Sequence, residues 1–89
     1  MAETTQGHRR PDDSEPTDLE AGEYMKLPNG DWFMCLPNGL FGTVSPKVHT
    51  VTEHDDGSIS VSPSILTTVP GDAARSWHGF LERGVWRSA

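Results

Sequence analysis

Cys35, His49, His54 and His78 are the only thiol and imidazole groups after residue 23 of this 89-residue sequence. A structural zinc takes four such ligands in a tetrahedron, and a catalytic zinc takes three plus water. None of the four stands at a short ligand spacing such as Cys-x-x-Cys. A thiol nucleophile would require Cys35 as an accessible thiolate beside His78, with a third group orienting the imidazole. Nothing around Cys35 supplies a basic setting or a helix N-terminus. Cys35 and His78 are kept as the candidates for a metal-binding or thiol-dependent enzyme, against a plainer reading. In that reading Cys35 is a small buried hydrophobe within Trp32 to Leu36, His49 and His54 decorate a hairpin, and no cofactor is bound. His78 is then a hydrogen-bonding residue of the sheet that bridges the Ser62-Pro63-Ser64-Ile65 stretch and the last hairpin.

Other constellations read in the same two ways. Glu53, His54, Asp55 and Asp56 could bind a cation or perform acid and base work, but they precede Gly57 and suit a solvated turn in which Asp caps the backbone. The sequence has neither a Gly-rich phosphate loop nor a Ser in a strand-to-helix elbow. Trp32, Trp77 and Trp86 could stack single-stranded bases, yet only Lys26, Lys47, Arg75, Arg83 and Arg87 follow residue 23, too few cations to track a phosphate backbone. Core packing is the expected use of the tryptophans. Any that stays exposed points to protein contact, because Trp, Tyr and Arg dominate interface hot spots.

The elements that must position these residues begin late in the chain. Residues 1 to 23 hold seven acids against Arg9 and Arg10, a charge of -5, whereas residues 24 to 89 hold six acids and five bases, a charge of -1. With Met1 and Leu19 as its large apolar residues, the first stretch has little to bury, and residues 1–22 are expected to form a disordered acidic tail. Residues 23–89 are expected to form one small β domain. The N-terminus lacks the apolar run of a signal peptide, and no stretch approaches the roughly 20 apolar residues of a membrane span. A single cysteine allows no disulfide within the chain. The expected setting is the cytoplasm, without a membrane partner.

From Tyr24 onward β-branched and aromatic residues alternate with Gly and Pro turns. The expectation is a mainly β fold, a small antiparallel sheet of hairpins closed into a sandwich or partly into a barrel. Leu-Pro-Asn-Gly occurs at 27–30 and 36–39, and the second copy predicts a hairpin of 31–36 with 39–44. Asp55-Asp56-Gly57 predicts a three-residue loop that pairs Val51 with Val61 and Glu53 with Ile59, placing Val51, Ile59 and Val61 on one buried face. An irregular connection is expected over 63–72, with a short helix at 72–75. A final hairpin, 76–81 with 85–87, joins through Glu82-Arg83-Gly84 and is expected to be covered on both sides.

Val61-Ser62-Pro63-Ser64-Ile65-Leu66, followed by Trp77-His78-Gly79-Phe80-Leu81-Glu82-Arg83-Gly84-Val85-Trp86, resembles a family of small uncharacterised proteins of actinobacteria and their bacteriophages. The resemblance covers residues 24–89 and rests on Ser62, Pro63, Ser64, Ile65, Trp77, His78, Gly79, Gly84 and Trp86. It implies a shared fold and a phage or bacterial accessory role. Wider relatives carry several cysteines before the Ser-Pro-Ser-Ile motif and another near the matching histidine, which implies a metal site there. This sequence departs from that pattern, keeping Cys35 and His78 alone. The expected function is therefore a non-enzymatic interaction module that binds an unidentified protein partner or itself. Its contact candidates are Trp77, His78, Phe80, Arg83, Trp86 and Arg87.

Overall fold

The computed structural model describes residues 3–89. Nine strands build two sheets: β1 Thr4–Gln6, β2 His8–Arg9, β3 Glu23–Lys26, β4 Trp32–Cys35, β5 Phe41–Val44, β6 Thr50–Glu53, β7 Ile59–Thr67, β8 Trp77–Glu82 and β9 Val85–Ser88. One sheet has the order β1-β9-β8-β7-β6 and the other β2-β3-β4-β5. Every pairing is antiparallel except β2 with β3. The sheets do not close into a barrel. They stack on a core of Tyr24, Trp32, Met34, Leu36 and Val44 from one sheet and Ile59, Val61, Ile65, Leu81 and Trp86 from the other.

Three hairpins reverse through one construction. In Leu27-Pro28-Asn29-Gly30-Asp31 the amide of Gly30 donates to the Leu27 carbonyl (2.9 Å) and that of Leu27 to the Asp31 carbonyl (2.8 Å). The Asn29 side chain accepts from the Asp31 amide at 3.0 Å. Leu36 to Leu40 repeats this pattern around Asn38, and His54 to Ser58 repeats it around Asp56. In each the glycine is left-handed, at φ 92°, 89° and 88° for Gly30, Gly39 and Gly57, a conformation that strains any residue with a Cβ. The repeat is turn chemistry reused. It fixes the expected register of Val51 against Val61 and Glu53 against Ile59, and in the expected hairpin of 31–36 with 39–44 it sets Cys35 against Phe41.

The expected disordered tail is overturned for the described residues. β1 adds to β9, β2 adds to β3, and Gly7 makes the step between the sheets. Residues 11–22 then cross the outer face of the four-stranded sheet. There Leu19, 5% exposed, packs with Met25 and Cys35 beside Leu27 and Phe33. The acids do not prevent this, because Arg9 and Arg10 pair with Asp12, Glu53 and Glu23. Backbone pairing to two open sheet edges supplies what apolar content could not.

Two further expectations shift. β7 continues through Pro63 to Thr67, and the irregular connection starts only at Thr68. Between Val61, opposite Leu81, and Ile65, opposite Gly79, β7 carries extra residues, and Pro63 sits in this bulge where no amide is required. The last hairpin turns on two residues, Arg83 and Gly84, both left-handed at φ 47° and 77°, so Glu82 belongs to β8 and pairs with Val85. The short helix appears as a 3-10 turn at Ala73–Arg75.

Candidate interaction face

β8 sends Trp77, Gly79 and Leu81 inward and His78, Phe80 and Glu82 outward. Trp86 on β9 is fully buried, with its ring edge-on to Trp77 at 5.5 Å and its Nε1 donating to the Gly22 carbonyl at 2.9 Å. Trp86 is therefore a core residue and the expectation that it makes partner contacts is corrected, while Trp77, partly buried, packs against that core. Gly79 is dictated by this packing: a Cβ there would meet the Trp77 ring at 2.5 Å and collide with the Arg87 carbonyl. The expectation that the hairpin is covered on both sides is corrected too, since Glu82 and His78 lie open to solvent on the outer face.

That outer face gathers the other contact candidates. The Arg87 guanidinium lies 4.6 Å above the Phe80 ring and donates to Glu82 at 2.7 Å. His78 tilts against Phe80 at 6.5 Å. Leu66, the partner of His78 across β7 and β8, is 64% exposed. Sequence reasoning missed Leu66 because it assigned 63–72 to a connection; alternation carried past Pro63 would have put it outside. Arg83 sits at the turn, its amide donating to Ser60 Oγ at 2.9 Å, and it makes no ion pair among the described residues.

The motif residues meet as the sequence implied. His78 Nε2 lies 2.9 Å from Ser64 Oγ, joining the Ser-Pro-Ser-Ile bulge to the final hairpin. His49 Nε2 lies 3.2 Å from the Ser64 carbonyl. A carbonyl only accepts, so Nε2 carries the proton and the buried Nδ1 is left as an unpartnered acceptor. A Ser-His pair resembles half of a nucleophilic site, yet among the described residues no carboxylate bonds to His78 to orient it. Geometrically, it is a strut.

Cys35 and His78 do not meet. Cys35 faces away from the core on the outer side of the four-stranded sheet, under Leu19, whereas His78 is on the outer side of the other sheet. The whole core separates them, which corrects the thiol or metal pairing of these two residues. Burial raises the Cys35 thiol pKa, and the Glu23 charge adds to the shift, so the thiolate is disfavoured. Among the described residues no three His, Cys, Asp or Glu side chains come together as a metal would require.

The acidic turn is occupied by its own hairpin. Asp56 accepts from the Ser58 hydroxyl at 2.6 Å and from its amide at 3.0 Å, and these bonds hold its pKa below the ordinary value. His54 Nε2 lies 2.8 Å from Ser60 Oγ. Glu53 accepts from Lys26 and Arg9, each at 3.1 Å, and its pKa is lowered chiefly by the Lys26 hydrogen bond. Glu53, His54, Asp55 and Asp56 border, together with Arg83, an open depression of about 410 Å³. No helix among the described residues is long and apolar enough to cross a membrane. Compared with family models, curated proteins and solved structures, the chain has no match.

Proposed function

We propose that this chain is a non-enzymatic protein-interaction module whose contact surface is the outer face of the five-stranded sheet. The observation that carries the reading is the exposed Leu66 beside His78, Phe80 and Arg87, on a sheet face that no other element of the described residues covers. An aliphatic side chain, an aromatic ring and the Arg87 guanidinium, with Arg83 at the adjoining turn, form the composition of an interface centre. With Arg83 in no ion pair among the described residues, the face suits a protein partner that sets an acidic rim around an apolar contact. The chain's net charge of -6 argues against nucleic acid as that partner. The same proposal places the chain with the small actinobacterial and bacteriophage proteins that its motifs resemble, in an accessory role in the cytoplasm.

Leu66→Asp and Phe80→Ala test it in a pull-down against host lysate, with the wild type in parallel. The expected result is a protein captured by the wild type and lost from both variants, with thermal midpoints within a few degrees of wild type. A partner captured equally by all three would overturn the assignment of this face. Capture that disappears at high salt and requires nucleic acid would overturn the protein-partner reading.

A further inference from the structure

Both sheets hold the segment from Glu3 to Arg10, and almost nothing buries it. Its sequence, Glu-Thr-Thr-Gln-Gly-His-Arg-Arg, has no large apolar side chain. Its attachment is backbone pairing: Ser88 to the Glu3 carbonyl at 3.0 Å, Gly7 to that of Gly84 at 2.7 Å, His8 to that of Gly22 at 3.3 Å and Arg10 to that of Tyr24 at 2.8 Å. Arg9 adds a stack on Trp32 at 4.9 Å and hydrogen bonds to Glu53 and the Gly57 carbonyl. Opening such a segment exposes little apolar surface and therefore falls at the low end of local stability.

The groove that it fills is selective. At position 7 a Cβ would lie 2.5 Å from the Gly84 carbonyl oxygen, 3.0 Å from Trp86 Nε1 and 3.1 Å from the Gly22 carbonyl oxygen, so only glycine passes between the sheets. Two residues on, Trp32 and Glu53 receive an arginine. An extended strand carrying Gly-x-Arg meets both demands, and every copy of the chain carries one. Within a copy the segment runs on through residues 11–18 to the buried Leu19.

We infer that the groove between β9 and β3 is an exchangeable strand site whose alternative occupant is residues 3–10 of a second copy of this chain. Exchange replaces each contact with an identical one, so the equilibrium follows protein concentration and the geometry of the 11–18 link.

Hydrogen exchange on the full chain is the first test. The amides of Gly7, His8 and Arg10 are expected to exchange at least tenfold faster than those of β7 and β8, and exchange of all of them at one common rate would overturn the proposal. Thr4 and Arg87 face each other across β1 and β9. In a Thr4→Cys, Arg87→Cys, Cys35→Ala chain, oxidation is expected to give an internal bridge when dilute and a covalent dimer fraction that rises with concentration. Internal bridges alone at every concentration would overturn it. If that chain does not fold, native mass of the wild type against Gly7→Ala decides: a concentration-dependent dimer lost in the variant supports the exchange, and any other pattern overturns it.

Discussion

Replacing Trp86 with Phe should cost this protein about 3 kcal/mol. The phenyl ring forfeits the Nε1 hydrogen bond to the Gly22 carbonyl, about 1 kcal/mol for a buried bond. It also has two ring carbons fewer, at about 0.8 kcal/mol each, and loses part of the edge-on contact with Trp77, at about 0.5 to 1 kcal/mol. Domains of this size lose roughly 4 to 8 °C of thermal midpoint per kcal/mol, so a fall of about 12 to 24 °C is expected by calorimetry. Arg87→Ala, on the other face of the same strand, should cost less than about 1 kcal/mol. A Trp86→Phe midpoint within about 4 °C of wild type would refute the assignment of this residue to the core and return it to the list of possible contacts.

Gly79→Ala should destabilise by about 1 to 3 kcal/mol, read from urea midpoints, because the Trp77 ring and the Arg87 carbonyl must move aside. Glu53 titrates below its ordinary value of 4.5 in the folded chain, held by Lys26 and Arg9. Its contribution is therefore complete above that pH and is lost as the pH falls through the lower, folded value. Thermal midpoints should thus drop less on acidification in Glu53→Gln than in wild type, and equal drops would show that the ion pairs carry nothing; at this exposure the effect is under about 1 kcal/mol. Cys35 should alkylate slowly at neutral pH and react fully in denaturant. Leu19→Ala should raise its native-state rate several-fold, since Leu19 covers it.

The hairpins were legible because Asn-Gly and Asp-Gly turns fix register locally, and Val51, Ile59 and Val61 form a buried set only in the observed pairing. His78 was legible as a link to the Ser-Pro-Ser-Ile stretch because both lie on sequence-adjacent hairpins. The place of residues 3–22 was not, since their order comes from edges that two distant strands leave open, and backbone pairing leaves no mark on side-chain composition. Trp77 and Trp86 looked alike to Phe80 in sequence. Only the narrow strip above Gly79 shows which side of β8 has room for an indole. Leu66 stayed hidden because Pro63 reads as a strand end, and its bulge is a tertiary event.

The pairing of β1 with β9 also sets how the protein answers a pull. The Ser88 amide meets the Glu3 carbonyl, and Thr4 stands opposite Arg87, so the two ends of the described chain lie side by side on neighbouring antiparallel strands. Tension applied through these ends runs across the hydrogen bonds and breaks them one after another, as in a zipper, where a shearing geometry would load them together. The first event under load is the peeling of β1 toward Gly7, at low force, and the stacked sheets beyond it bear tension only after that slack has been drawn out.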